Sequence, residues 1–262
     1  MKFRKTVANN SRNLLYFAKN KKSKMKKSIV LFFTLLFLAS CSKEVSKTNL
    51  HLTGNIKGLK KGTLYIQRVV DTSLVAIDTI TIDGDSNFET DIDLKSAEML
   101  YLFLDRGVTN SMDNNILFFA EPGIMNIETN IDSYISSAKI TGSKNQEKYE
   151  EYQKINSRFR DQNLDMIELK FKALKSGKTK EIDSLNLKQE NNTKRKYLFA
   201  TNFAINNRDY DISPYIALSD IYDINIKYLD TIQKSMSPKV AQSLYGKKLT
   251  EYVIKIKKQE SK

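Results

Sequence analysis

Residue types that commonly do chemistry in proteins are scarce in this sequence. Its 262 residues include one cysteine, Cys41, and one histidine, His51. A single cysteine excludes an internal disulfide, a Cys-x-x-Cys redox centre and a thiolate cage for zinc or an iron–sulfur cluster. A single histidine excludes most catalytic triads and paired-histidine metal sites. Catalysis by these residue types is therefore not expected.

Two pairs of aspartates are the remaining candidates for acid–base or metal chemistry. Asp209 and Asp211 flank a tyrosine, and Asp220 is followed closely by Asp223. Paired carboxylates can transfer protons or bind a cation when they face one site. Both pairs lie at or beside predicted helix starts, where acidic side chains also stabilise the helix dipole. Since no nucleophile or base accompanies them, we expect structural roles and no catalytic residue.

Three further features have ordinary structural explanations. Residues 83–87 partly match a calcium-binding loop, but Phe88 replaces the required glycine and Leu94 replaces the final glutamate, so a hairpin turn is expected. His51 lies on the polar side of an alternating strand and is expected to be exposed. Ser143 does not fit the motifs of serine nucleophiles and is expected to cap a helix. The sequence therefore predicts no cofactor and no metal site.

Cys41 carries the strongest signal in the sequence. Two lysines precede an apolar stretch over residues 29–39, and Leu-Ala-Ser-Cys ends it at residues 38–41. This stretch suits the core of a signal peptide, whereas a membrane-spanning helix needs about 20 residues. The motif resembles the bacterial lipoprotein box, in which the chain is cut just before an acylated cysteine. We therefore expect a signal peptide over residues 1–40, cleavage between Ser40 and Cys41, and lipidation of Cys41.

The segments on either side of the apolar stretch refine this expectation. Met25 begins a complete signal peptide and is a candidate for the true first residue. Residues 41–47 are short and polar, as in a tether between a lipid and a domain. Ser42 favours sorting to the outer membrane, and a single acid, Glu44, is a weak surface-export signal. We expect a lipoprotein anchored in the outer membrane and facing the periplasm.

The net charge of +13 is concentrated in the predicted leader. Residues 1–40 hold ten lysines and arginines and no acid, which leaves a charge of +3 for the rest of the chain. Residues 143–262 are mildly basic, but their lysines are interleaved with acids along helical patterns. A surface that binds nucleic acid clusters its basic residues instead. We therefore expect no nucleic-acid partner.

Apolar and polar residues alternate from residue 48 to residue 142, which predicts strands. Turn residues interrupt the alternation at residues 58–62, 83–87 and 121–123, and the strands that flank the first two turns are expected to form hairpins. About eight short strands of this kind favour an antiparallel β-sandwich. The sequence therefore predicts a β-sandwich domain over residues 48–142.

The hydrophobic period changes to three and four after residue 142, which predicts a helical region over residues 143–262. Ser143 and Gln146 form a capping box at its start. The expected helices, about four in number, begin at Ser143, near residue 180, at Ser213 and at Ser237. In the last two, serine is the expected N-cap and a proline follows it. Apolar stripes such as that containing Tyr245 are expected to be core, and the fold class is α+β.

Four short motifs give the chain a family resemblance. They are Gly-Asn-Ile-Lys-Gly at 54–58, Lys-Gly-Thr-Leu-Tyr-Ile at 61–66, Phe-Phe-Ala-Glu-Pro-Gly at 118–123 and Ile-Thr-Gly-Ser at 140–143. They resemble the domain of unknown function at the N-terminus of bacterial thiol-disulfide interchange lipoproteins. In that family a β-sandwich and a helical segment precede a thioredoxin-like domain. The resemblance implies an envelope protein with this accessory module. It implies no redox residue, because the sequence reaches Lys262 without a Trp-Cys-x-x-Cys motif.

These observations favour a non-catalytic envelope lipoprotein that binds a partner or ligand. The membrane, reached through the lipid anchor, and an envelope protein are the expected partners, and no oligomeric state is predicted. An alternative is the accessory half of a split redox system, in which a separate thioredoxin-fold protein supplies the cysteines. A weaker alternative is a carboxylate-based hydrolase acting on carbohydrate or peptide, which for glycosides needs two carboxylates about 5 to 9.5 Å apart.

Lipidation of Cys41 is directly testable. Mass spectrometry of the mature protein should find an acylated Cys41 at its N-terminus. Cys41→Ala should release the protein from the membrane fraction or leave an uncut precursor, because several acyl chains together hold a protein on a bilayer. An unmodified Cys41 in the wild-type protein would contradict the prediction.

Overall fold

The region predicted to be rich in strands forms eight strands in the computed structural model, which describes residues 48–107 and 112–260. The predicted signal peptide, the alternative start at Met25, the cleavage site, and Cys41 with its tether lie outside these residues. From Thr48 onward the chain forms one compact unit. None of the helices in the described ranges is long and apolar enough to span a membrane.

The number of strands agrees with the prediction, and burial alternates clearly along the first of them. A single turn of 3-10 helix, Met112–Asn114, precedes the sixth strand. The strands are β1 Leu50–Lys57, β2 Lys61–Val70, β3 Ser73–Asp83, β4 Asn87–Ile92, β5 Glu98–Asp105, β6 Asn115–Ala120, β7 Gly123–Asn130 and β8 Lys139–Thr141.

Two four-stranded sheets make up the sandwich, with strand orders β4-β1-β7-β8 and β3-β2-β5-β6. Neighbouring strands are antiparallel except β1 and β7, which run parallel from Leu50 opposite Gly123 to Lys57 opposite Asn130. A parallel pair needs a long connection. Here the whole second sheet is inserted between the two strands, so the predicted antiparallel sandwich contains one parallel pair.

Three predicted turns connect the two sheets, so the prediction that the first two of them close hairpins is wrong. The turns at residues 58–62, 83–87 and 121–123 each lie between strands of different sheets. The hairpins are instead β2–β3, β5–β6 and β7–β8. Alternation identifies a strand with one buried face, but both sheets bury a face in the same core. The pattern therefore does not distinguish a turn within a sheet from a turn between sheets.

The first core lies between the two sheets. Leu50, Leu52 and Ile56 of β1 are buried there, whereas His51, Thr53 and Asn55 face outward. A β-carbon at Gly54 would overlap the ring of Phe88 and a neighbouring backbone carbonyl. Glycine at this position therefore allows the strands and the phenylalanine to pack closely.

Six helices follow within the described residues, where about four were expected. The second half of the helical region is divided more finely than predicted, because short turns after residues 219, 235 and 241 end its helices early. The helices are α1 Lys144–Lys175, α2 Thr179–Asn206, α3 Ile212–Ser219, α4 Ile226–Ser235, α5 Pro238–Ala241 and α6 Leu244–Glu260.

Three of the four predicted helix starts are confirmed and one is wrong; α2 begins at Thr179, beside the predicted residue 180. Ser143 caps α1 by accepting a hydrogen bond from the backbone N–H of Gln146 at 3.0 Å, and Ser237 is the N-cap of α5. Ser213 lies inside α3, whose N-cap is Asp211. Proline is tolerated anywhere in a first helical turn, so its position did not fix the boundary to one residue.

A second core joins the helices to the outer face of the second sheet. It contains Met99 and Phe119 from the strands and Tyr152, Ile216 and Leu249 from the helices. Strand residues on alternating positions face this core while their neighbours face the first core. The sheet therefore lies between the sandwich core and the helical core.

The side chain of Gln146 connects α1 to the edge of the second sheet. Its Oε1 accepts a hydrogen bond from the buried N–H of Phe119 at 2.7 Å. Strand β6 is an edge strand, so this N–H has no partner strand to bind. Gln146 therefore does not complete the predicted reciprocal capping box, because its carbonyl oxygen is used across the sheet–helix boundary.

Gln146→Ala should lower the free energy of unfolding by about 1 to 3 kcal/mol, since it leaves the buried Phe119 N–H without an acceptor. Equilibrium urea unfolding measures the change. Gln162→Ala, on the exposed side of the same helix, is the matched control and should change stability little. Equal stability of the two variants would contradict this role of Gln146.

Candidate functional site

A cleft of about 320 Å³ opens between the outer face of the second sheet and helices α3 and α6. We call it the sheet–helix cleft. Clefts of this kind, between layers of secondary structure, are common places for ligands to bind. Its principal walls are Met99 and Tyr101 of β5, Tyr215 and Leu218 of α3, and Leu244 and Tyr245 of α6.

The strand pattern explains how β5 contributes to this cleft. Leu100 and Leu102 point into the sandwich core, so Met99 and Tyr101 point to the opposite face. The backbone N–H of Met99 donates a hydrogen bond to the hydroxyl of Tyr245 at 2.9 Å. This bond fixes the start of α6 against the strand.

Three aromatic rings hold the helical wall in place. The ring of Tyr215 packs edge-on against that of Tyr245, with centroids 5.0 Å apart, and against that of Phe119 at 5.5 Å. Edge-to-face pairs of this geometry contribute about 0.5 to 1.5 kcal/mol each beyond their buried area. The cleft is therefore formed by rings that are already packed together.

An ion pair lies beside the apolar part of the cleft. Nη2 of Arg68 is 2.7 Å from Oε1 of Glu98, whose side chain is 11% exposed. Burial raises the pKa of Glu98, although the positive charges of Arg68 and Lys248 oppose this shift. Nε of Arg68 is buried and has no partner among the described residues. The cleft thus combines an apolar wall with charged groups at one end.

The tyrosines of the cleft are neutral hydrogen-bonding groups. Burial raises the pKa of Tyr101, Tyr215 and Tyr245. A phenol with a raised pKa remains protonated at neutral pH and can donate a hydrogen bond. The arrangement is suited to holding an amphipathic group by contact and hydrogen bonding.

Asp220 and Asp223, two of the aspartates singled out in the sequence, are engaged by different neighbours. Asp220 Oδ2 accepts hydrogen bonds from the Tyr152 hydroxyl at 2.9 Å and from Asn156 at 3.0 Å. Asp223 accepts one from Tyr197 at 2.8 Å, and burial together with this carboxylate raises the pKa of that phenol to about 12. These carboxylates therefore anchor side chains of α1 and α2.

Asp211 has a different environment from the other aspartates. It is 7% exposed at the start of α3, and burial raises its pKa despite a hydrogen bond to Ser243. Within the described part of the chain, no group of three or more histidine, cysteine or acidic side chains is placed to hold a metal ion.

The other sequence candidates have structural partners. His51 is half-exposed, and its Nδ1 lies 2.8 Å from Asp91 on the adjacent strand β4. In the turn at residues 83–87, Asp85 accepts hydrogen bonds from the backbone and side chain of Asn87. Ser143 caps α1 and also donates to Glu121 at 3.0 Å.

The residues of the sheet–helix cleft were not identified as a site from the sequence. Met99 and Tyr101 belong to an apolar strand, and Tyr245 lies in a stripe expected to be core. Their convergence depends on packing between elements more than 100 residues apart, such as the 146-residue separation of Met99 and Tyr245. A sequence feature that could have indicated this cleft is the number of tyrosines, 13, in a chain without tryptophan.

Comparison with known proteins characterises the sandwich. Residues 50–149 match a family described as Domain of unknown function (DUF4369), and this region spans all eight strands and the first turn of α1. These residues therefore contain a domain of unknown function. The chain matches no curated protein, and it matches no solved structure.

The raised pKa of Glu98 predicts a pH dependence of stability. The folded state binds the proton of Glu98 more tightly than the unfolded state, whose carboxyl has the ordinary pKa of 4.5. Stability therefore falls as pH rises from this value through the folded-state pKa. We compare the free energy of unfolding of the wild-type protein with that of Glu98→Gln. The wild-type value minus the variant value should be larger at pH 4.5 than at pH 7. Urea unfolding at several pH values measures this difference, and a constant or increasing difference would contradict it.

Proposed function

We propose that this protein is a non-catalytic lipoprotein of the bacterial cell envelope that binds a partner in the sheet–helix cleft. The observation that carries the proposal is the preformed aromatic wall of Tyr215 and Tyr245 beside the Arg68–Glu98 ion pair. Rigid aromatic side chains give large contact areas at a low entropic cost. Such a site suits an apolar side chain or ring that carries a polar group.

The tip of the β2–β3 hairpin extends the apolar surface from the cleft. Val69 lines the cleft, and Val70, Leu74 and Val75 follow it around the tip, each with 43 to 47% of its surface exposed. Val69 and Leu74 are opposite each other in the hairpin and share the face of the cleft, whereas Val70 and Val75 lie on the other face. Exposed apolar patches mark surfaces that bind other molecules. A partner protein that covers both the cleft and the hairpin tip would bury this surface.

The leader supports the cellular location in this proposal. Acylation of Cys41 would anchor the protein in the membrane, and residues 41–47 would connect the anchor to the domain. Ser42 favours the outer membrane with the domain facing the periplasm. The partner would then be another protein of the envelope, and nucleic acid is not among the proposed partners.

A split redox system is the second candidate function. The resemblance to thiol-disulfide interchange lipoproteins supports it, and the match of residues 50–149 to a domain of unknown function covers the same part of the chain. In this alternative, the cleft would receive a separate thioredoxin-fold protein that supplies the cysteines. Carboxylate-based hydrolysis is weaker, because Asp220 and Asp223 already bind phenols of neighbouring helices.

Site-specific crosslinking in living cells tests the proposed function. A photoreactive phenylalanine analogue replaces Leu218 in the cleft, and the same analogue replaces Leu187, an exposed residue of α2 outside the cleft, as the control. Mass spectrometry then identifies the crosslinked molecule. We expect an envelope protein to crosslink from position 218 but not from position 187. Ser219→Trp, which places a large ring at the cleft, should abolish this product.

The identity of the product separates the candidate functions. A thioredoxin-fold protein captured from position 218 would favour the split redox system over an unrelated partner. Products that are identical from positions 218 and 187, or a product unaffected by Ser219→Trp, would contradict binding in the sheet–helix cleft.

A further inference from the structure

Helix α2 covers one face of the second half of α1. The side chain of Gln189 on α2 accepts a hydrogen bond from Nζ of Lys170 at 2.9 Å and donates one to Oδ1 of Asn163 at 3.0 Å. Ala173, one turn further along α1, is buried. These contacts identify the face of α1 that its own chain occupies.

A different face of the same part of α1 carries a line of exposed apolar side chains. Each of these side chains belongs to a residue with 48 to 61% of its surface exposed, and they are Leu164, Ile167, Phe171 and Leu174. We call them the α1 stripe. Because successive residues of a helix are rotated by about 100°, the stripe lies about a quarter turn from the face that contacts α2. Exposed apolar residues scattered singly are ordinary, but a continuous line indicates an interaction surface.

The spacing within the α1 stripe favours a second helix as the occupant. Its intervals are three, four and three residues, which is the pattern of the contact positions in a left-handed coiled coil. The same intervals read identically in both directions. An antiparallel second copy of α1 therefore presents a stripe of matching spacing, as a contact about a two-fold axis requires.

One register of two antiparallel copies buries the whole stripe. In this register Leu164 meets Leu174 of the second copy, and Ile167 meets Phe171 of the second copy. Each contact occurs twice about a two-fold axis that lies level with Leu169. A slip of one heptad in either direction would leave half of each stripe without an apolar partner. The stripe therefore specifies a single arrangement of the two helices.

Charges beside the stripe complement each other in the same register. Asp161 and Lys175 lie along one edge of the stripe, two heptads apart, and both are exposed. In antiparallel coiled coils, residues along the same edge of the two helices face each other. Asp161 of one copy would therefore face Lys175 of the other, and this ion pair would form twice per dimer.

Two like charges lie near the two-fold axis and limit the expected affinity. Glu168 and Lys170 each come close to the same residue of the second copy, on opposite edges of the stripe. Their own chain already engages both, since Glu168 forms an ion pair with Lys172 and Lys170 donates to Gln189. One helix face also gives a small interface, so we expect a weak dimer.

The acidic residues of α1 favour a protein over a lipid surface as the occupant. Helices that lie on a membrane carry mainly lysine and arginine on their polar face and are attracted to anionic lipids. The second half of α1 exposes Asp161, Asp165 and Glu168 among its basic residues. Anionic headgroups would repel these carboxylates, whereas a second copy supplies lysine to the first of them.

We propose that two copies of this protein associate through their α1 stripes as an antiparallel pair of helices. The residues that line the sheet–helix cleft include none of the stripe. Association is therefore independent of what the cleft binds, and each dimer presents two clefts.

Photocrosslinking of the full-length protein in cells tests the contact. A photoreactive phenylalanine analogue replaces Phe171 in the stripe. As the control, it replaces Leu187, which is 62% exposed and lies two residues from the buried Leu185, on the side of α2 away from α1. We expect a product of twice the chain mass from position 171 but not from position 187. Its crosslink should lie at or beside Ile167 of the second copy.

Two matched substitutions separate association from folding. With the analogue at position 171, Ile167→Asp should lower the dimer yield about tenfold, because it places a carboxylate in the apolar contact. Leu187→Asp should leave the yield unchanged. Both residues are exposed, so both variants should keep the wild-type urea midpoint.

A charge exchange tests whether the occupant is a second copy in the antiparallel register. Asp161→Lys and Lys175→Asp each place like charges opposite each other in a dimer of one variant. In a mixed dimer of the two variants, both pairs again have opposite charges. Each variant alone should give about fivefold less crosslinked dimer than wild type. Co-expression with two different tags should restore the wild-type yield in the product that carries both tags.

Several results would overturn the proposal. They are no crosslinked product from position 171, a product with a different protein or with lipid, and a dimer yield that Ile167→Asp leaves unchanged. A mixed pair that gives no more dimer than either charge variant alone would also overturn it. Crosslinking from position 218 in the sheet–helix cleft is a separate measurement, so failure of one proposal leaves the other unaffected.

Discussion

Two adjacent phenylalanines of β6 impose the constraint on which the rest of the structure depends. The side chains of Phe118 and Phe119 point to opposite faces of the strand, and both are fully buried. A strand can bury both faces only when a layer packs against each of them. Phe118 contacts the sandwich core and Phe119 the helical core. The second sheet is thus a middle layer, and the helices are part of the same folded unit.

The helical layer covers only part of this sheet, and the sheet–helix cleft lies where the cover ends. The outer face of β5 meets α3 and α6, whereas Val69 and Leu74, on the same face of the β2–β3 hairpin tip, are exposed. The helices therefore create a boundary between a buried and an exposed part of one sheet face. Tyr101 and Tyr245 lie at that boundary, which is why an apolar wall there meets polar hydroxyls and an ion pair.

Local sequence patterns predicted the elements of this fold better than their arrangement. Alternation predicted the strands, and Ser143 predicted the start of α1, because burial and capping depend on neighbouring residues. The parallel pairing of β1 with β7 and the turns between sheets were missed, since alternation carries no information on strand partners. The use of Gln146 across the sheet–helix boundary was missed for a related reason. Its spacing to Ser143 fits a local capping box, and its actual partner, Phe119, is 27 residues away. The sheet–helix cleft is built from such distant contacts.

Hydrogen exchange of the Met99 and Phe119 backbone amides tests most directly whether helices and sandwich form one unit. Each N–H is bonded to a helix side chain, at 2.9 Å to Tyr245 and at 2.7 Å to Gln146. If the helical layer is fixed on the sheet, both amides should exchange as slowly as those at the centre of the sandwich. Rapid exchange of these two amides, with slow exchange in β1, would show that the helices detach from the sheet. The sheet–helix cleft would then not be preformed.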